Sequence, residues 1–168
     1  WHRTWTMPER PPVLVTNTTP LIALAAATGS LDVLRFLYRQ VVVPYEVAQE
    51  VRAGGRHAFG VDAFQQATWL DIQSAPVVLQ PFLHNTLDRG EASVIQTALN
   101  RGLSLVCIDE AAGRRVARLC DLTLTGSVGI LLKAKRQGYD VSIAEALQRM
   151  RAQGIWLSDR VVQFALTQ

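Results

Sequence analysis

The chain has only two cysteines among its 168 residues, Cys107 and Cys120. Two thiols are too few for a disulfide scaffold and cannot supply the four ligands of a structural zinc site. Cys107 falls in a strand-like apolar run and Cys120 at a helical apolar period, so both are expected as core thiols in a reducing cytoplasm. No apolar run approaches the roughly 20 residues that a membrane helix needs. The longest candidate, Pro20 to Ala27, leads into Thr28-Gly29. The N-terminus carries Trp1, Trp5, Pro8, Pro11 and Pro12 but no apolar stretch of the secretory kind, and the residues before Met7 are given no functional weight. Repeats, low-complexity tracts and long linkers are missing as well. No G-x-G-x-x-G follows a strand and no P-loop is present, which argues against a nucleotide-binding module. These absences leave a soluble cytoplasmic protein, without a membrane partner, as the expectation.

What is present suits one globular domain. Apolar residues make up 49% of the chain, enough at this length to build a real core. The net charge of +3 is modest but unevenly spread. Residues 1–110 hold 8 basic and 10 acidic residues, while residues 111–168 hold 9 basic and 4 acidic ones. A basic half suits a partner with phosphates, because Lys and Arg gain affinity by releasing condensed counterions. Solvated helix faces produce the same bias, so charge alone decides nothing.

Short apolar runs alternate with helical periods, the pattern of a three-layer α/β domain around a parallel sheet. Val13–Thr16 reads as a strand, followed by a helix with Thr19 as its cap and Pro20 in its first turn. Gly29 ends that helix, and Leu31-Leu34-Leu37-Tyr38 carries a second one. Val41–Val43 is a β-branched strand closed by Pro44, and Tyr45–Arg52 is helical. A loop from Gly54 to Gly60 precedes a helix at Val61–Ala67 and a strand at Trp69–Ile72. Residues 74–85 show no clear period. Beyond Asp88 the spacing predicts helix 91–101, strand 104–108, helix 111–119, strand Thr123–Thr125 and helix 127–137. Ser142 and Glu145 form a capping box for a further helix, and Ser158 starts the last.

Asn17 and Asp109 each stand where an apolar strand hands over to a helix. In an open parallel sheet, ligands gather outside the carboxyl ends of the strands, so polar side chains on two strands can converge there. Asp109 equally fits an ordinary helix N-cap. Glu91 matches a capping box with Asp88, yet it shares a helical face with Ile95 and Ala98, where a carboxylate needs a cation or hydrogen bonds. Glu50 lies beside the Val47/Val51 seam with Glu46 one turn before it, and either fits a solvated surface. Two carboxylates about 4 Å apart repel by roughly 1 kcal/mol in water and about 4 kcal/mol at an effective dielectric of 20. If Glu50, Glu91 and Asp109 converge, a hard divalent cation with oxygen ligands resolves that repulsion and suits phosphodiester hydrolysis.

Several segments, in order, carry a resemblance. They are Val15-Thr16-Asn17-Thr18-Thr19-Pro20-Leu21-Ile22, Val43-Pro44 with Gln49-Glu50-Val51, Arg89-Gly90-Glu91-Ala92, Val106-Cys107-Ile108-Asp109-Glu110, Thr125-Gly126-Ser127-Val128-Gly129 and Trp156-Leu157-Ser158-Asp159. Together they resemble the PIN-domain family, the fold of VapC-type toxin ribonucleases, and most closely a subgroup of short bacterial PIN proteins of uncertain role. The resemblance implies an irregular segment at 1–12 and a single PIN-like domain at 13–168. It implies four acidic positions at the carboxyl edge of the sheet, falling on Asn17, Glu50, Glu91 and Asp109, with Glu50, Glu91 and Asp109 as ligands of Mg²⁺ or Mn²⁺. Glu110 and Ser127 are implied auxiliaries, although Ser127 also fits a helix N-cap. Cleavage of single-stranded RNA, a small antitoxin partner and homodimerisation are further implications.

Asn17 departs from that pattern, since the first position is usually Asp. Asn offers a neutral oxygen and also suits a strand-to-helix turn by bonding nearby backbone. Weaker metal affinity, a preference for Mn²⁺ and a PIN scaffold that binds RNA or a partner without cutting are all compatible with it. Arg114, Arg115 and Arg118 follow Asp109 on one helix and would track RNA phosphates near the cleft, or form a solvated face. Lys133, Lys135 and Arg136 sit at a helix C-terminus, where the dipole favours cations anyway.

Overall fold

A computed structural model describes residues 12–54 and 58–168. The expected irregular segment 1–12 thus lies outside the described residues except for Pro12, as does the middle of the Gly54–Gly60 loop.

Five short strands form one all-parallel sheet: β1 (Val13–Thr16), β2 (Gln40–Val43), β3 (Asp71–Ile72), β4 (Leu105–Cys107) and β5 (Thr123–Thr125), in the order β3-β2-β1-β4-β5. Parallel neighbours need crossover connections, and helices supply them here. The chain lays down β1, steps outward to β2 and β3, then returns to place β4 on the other side of β1. Strand order therefore reverses between β1 and β4, and the carboxyl ends of those two strands border the crevice. Thr16 pairs with Cys107 in register, and the Asn17 N–H donates to the Cys107 carbonyl at 3.1 Å.

The helices are α1 (Thr18–Thr28), α2 (Asp32–Leu37), α3 (Tyr45–Ala53), α4 (Ala58–Gln66), α5 (Pro81–Thr86), α6 (Arg89–Arg101), α7 (Ala111–Leu119), α8 (Ser127–Arg136), α9 (Ile143–Ala152) and α10 (Asp159–Leu166). With the sheet they make the three-layer α/β sandwich that the alternation predicts. Leu14, Val15 and Val42 on the strands and Leu24, Ile95 and Leu131 on the helices are fully buried. A parallel sheet is covered on both faces, which is why β1 and β2 read as continuous apolar runs. No helix among the described residues is long and apolar enough to cross a membrane.

Several boundaries differ from the sequence expectation. Helix α1 is capped by Asn17, not Thr19, because the Asn17 backbone is still extended and bonded to β4. Pro20 then occupies the third helical position, where its missing N–H is one of the unpaired first-turn donors anyway. Helix α4 starts at Ala58, earlier than the expected Val61, and β3 keeps only Asp71–Ile72. The aperiodic stretch hides α5, whose one buried residue is Leu83. Asp109 is no helix cap, since Glu110 occupies the cap of α7, and Ser127 is the first residue of α8 behind a Gly126 cap. Cys107 is buried as expected, whereas Cys120 is only half-buried at the C-terminal cap of α7.

Candidate metal centre

Helix α6 starts at the crevice. Asp88 caps it by accepting the Glu91 N–H at 2.8 Å, so the capping box read in the sequence is real on that side. The Glu91 side chain is 3% exposed and lies against α7: a Cβ on Gly113 would sit 3.3 Å from its carboxyl carbon. Gly113 thus leaves the room that this carboxyl occupies. Gly90 does the same on the other side, where a Cβ would collide with Glu50 Oε1 and lie 3.1 Å from Asn17 Oδ1. Asn17, Glu50 and Glu91 therefore converge around the first turn of α6.

Two threonines of α1 fix the acids that reach in from elsewhere. Thr18 donates its hydroxyl to Glu50 Oε2 at 3.1 Å, and Thr19 donates to Glu110 Oε1 at 3.1 Å. Asp88, Glu91 and Glu110 each present a carboxylate oxygen, and these oxygens lie within 4.8 Å of one another. Burial raises the Glu91 carboxyl to about 8, helped by a hydrogen bond with Glu110 and by the charges of Asp88, Glu110 and Glu50. Burial also raises the Glu50 carboxyl, opposed by the Thr18 hydroxyl and reinforced by Asp88 and Glu110. Like charges crowded around a buried carboxyl are the condition that a bound cation relieves, and an all-oxygen donor set suits a hard divalent ion. The donor set fits such an ion.

Asp109 occupies the flank of this group. Its Oδ1 accepts the Ser127 N–H at 2.8 Å and its Oδ2 accepts the Ser127 hydroxyl at 2.9 Å. Burial raises its carboxyl, while the two Ser127 bonds and Arg114 pull it back down. Arg114 donates to the Ile108 carbonyl at 2.7 Å and is half-buried, so it braces the turn from β4 into α7. Arg115 and Arg118 are exposed on the same helix.

The sequence-derived set is thus partly regrouped. Asn17, Glu50 and Glu91 come together, Glu110 enters the tightest trio as more than an auxiliary, and Asp109 stands beside it in the grip of Ser127. Asp88, expected only as a cap, joins the trio, while Thr19 positions Glu110 within it and Thr18 positions the neighbouring Glu50. The signal for Asp88 was available, because a cap at the start of a helix whose first turn faces the crevice points to the same place as Glu91. Glu46 and Glu50, which looked alike, differ: Glu46 is 6% exposed and buried, whereas Glu50 is exposed.

The PIN domain family matches residues 13–168, a span that contains the whole sheet and every described helix, and the chain belongs to that family. PIN domains are in general nucleases that use divalent metals, and the acidic group at the β1/β4 switch point could hold such an ion. No curated protein matches the chain in sequence.

Proposed function

We propose that this chain is an endoribonuclease that cleaves single-stranded RNA with Mg²⁺ or Mn²⁺. The observation that carries the reading is the convergence of Asp88, Glu91 and Glu110, with Glu50 and Asn17 beside them, at the switch point of a PIN sheet. Asp88, Glu91 and Glu110 would hold the ion, and Glu50 and Asp109 would border it. A divalent cation bound there would supply activation of a water and charge for the departing phosphate oxygen. Asn17 contributes a neutral amide oxygen that accepts a hydrogen bond or orients a water. Ser127 locks Asp109, and the two threonines lock Glu50 and Glu110, so the groups stay in place without substrate. Arg115 and Arg118 contact RNA phosphates close by.

The setting in this reading is the cytoplasm of a bacterium, with the chain as the toxin half of a toxin–antitoxin pair, held in check by a small antitoxin and working as a homodimer. A second reading, a PIN scaffold that binds RNA without cutting it, is favoured by Asn17 at the first acidic position. Cleavage of mixed single-stranded RNA with Mn²⁺, Mg²⁺ or EDTA separates the two, run beside Glu91→Gln, which removes a carboxylate of the trio. Metal-dependent cutting lost in the variant supports the nuclease. Cutting that persists in the variant indicates contamination, and no cutting from folded protein supports the scaffold.

A further inference from the structure

Glu46 lies one turn before Glu50 on α3, in surroundings unlike those of a surface acid. One carboxyl oxygen accepts the Val77 N–H at 3.0 Å, and the other, Oε2, is buried with no hydrogen-bond partner among the described residues. Buried polar atoms are almost always matched, so an orphan of this kind marks a place that a water, ion or ligand completes. Glu46 also lines a cavity of about 200 Å³ enclosed by the start of α3, the stretch after β3 and the end of α6. The cavity opens at the carboxyl ends of β2 and β3, the same edge of the sheet as the acidic group. Along α3, Glu46 and Glu50 are only about 6 Å apart in rise. A strand held at the acidic group would bring an adjacent nucleotide within reach of the cavity.

The lining narrows the ligand. Pro44, Tyr45 and Pro76 give it apolar faces, and Arg101 at the end of α6 lines it together with Glu46, so one cation and one acid border the same space. Among the described residues Arg101 pairs with Asp71 at 3.7 Å, a long and partly exposed contact that it can leave for a ligand at little cost. An ammonium or guanidinium ligand would meet the charge of Arg101, and a phosphate would meet the acid. A flat neutral base with N–H donors beside a carbonyl oxygen satisfies both. Guanine has that arrangement on its Watson–Crick edge, with N1–H and N2–H donors next to O6.

We infer that this cavity is a base-recognition pocket for a guanine next to the cleavage site, with Glu46 accepting from its N–H donors and Arg101 donating to its carbonyl oxygen. The inference rests on the RNA-cleaving reading for its choice of ligand, but its test does not need cleavage.

The test is the affinity of the whole chain, in EDTA, for four short RNAs that differ in a single central base. The guanine RNA should bind on the order of tenfold tighter than the others. Glu46→Gln should abolish that preference, and Arg101→Ala, at an exposed position where folding is safe, should weaken it. Equal affinity for the four RNAs, no binding, or a preference that survives both substitutions overturns the inference. A parallel cleavage assay keeps the two readings apart. Guanine preference without cutting leaves the pocket standing and removes the nuclease, whereas cutting without preference removes the pocket alone.

Discussion

Ser127 holds Asp109 at both carboxyl oxygens, with its backbone N–H at 2.8 Å and its hydroxyl at 2.9 Å. The first turn of α8 is thereby fastened to the end of β4, and a carboxyl beside the acidic group is fixed in one orientation. Ser127→Ala removes the hydroxyl bond and leaves the backbone one. Hydrogen bonds to charged groups contribute about 1.5–3 kcal/mol, so urea denaturation should show a loss on the order of 1–2 kcal/mol. Metal affinity should change little, because the Asp88, Glu91 and Glu110 trio is untouched. An unchanged unfolding midpoint would contradict this role for Ser127.

Glu91 gives the metal-free protein a pH dependence. Its carboxyl is raised from 4.5 to about 8 in the fold, chiefly by burial. Between those values the folded chain keeps a proton that the unfolded chain has lost, so stability falls as pH rises. This group's contribution is full below 4.5 and gone once pH has passed about 8. In EDTA, thermal melts should decline across that window, and Glu91→Gln should flatten the decline. Excess Mg²⁺ or Mn²⁺ should restore more stability at the alkaline end, where the ligand is already deprotonated. A wild-type slope equal to that of Glu91→Gln would refute the assignment.

Gly90 stands where a Cβ would collide with Glu50 Oε1. The colliding atom is the end of an exposed, flexible side chain, so the fold should tolerate Gly90→Ala, and alanine is the better helix former by about 1 kcal/mol. Glu50 must move, however, and with it the bond from Thr18. Cleavage should fall about tenfold or more while the melting temperature holds or rises, since small displacements in a site cost large factors. Full activity in Gly90→Ala would show that the position of Glu50 is immaterial.

Asn17→Asp places a further carboxylate near Glu50. Without metal this should destabilise the chain by about 1–4 kcal/mol, the range of like-charge repulsion at close approach between water and a protein surface. With metal, affinity and cleavage should both rise. Calorimetric titration with Mn²⁺ checks the first, and an RNA assay checks the second. Affinity that drops in Asn17→Asp would mean that the amide is needed as it stands.

Much of the fold was legible because β-branched runs and capping residues act locally. Val13–Thr16, Val41–Val43 and Thr123–Thr125 announce strands by composition, and Ser142 with Glu145 announces α9 by a bond within one turn. Helix α5 was not legible, since only Leu83 of its residues is buried and no apolar period can form. In the candidate site, the positions of Glu91 and Asp109 were legible, because both sit at hand-overs between elements. The part of Glu110 was hidden, because its meeting with Asp88 and Glu91 depends on how α6 packs beside α7. Glu46 and Glu50 share one helix side, and the Val77 N–H that accompanies the burial of Glu46 comes from a stretch with no readable period. Tertiary contacts, not local preference, decided those positions.

The most direct test of the acidic group as a metal centre is a Mn²⁺ titration followed by electron paramagnetic resonance, at a pH above the Glu91 value of about 8. The wild-type chain should bind the ion, and Glu91→Gln should bind it at least about tenfold more weakly, the scale of losing one well-placed ligand interaction. Mn²⁺ that stays free with the wild-type chain, or binds equally to the folded variant, would contradict the metal centre proposed at the β1/β4 edge.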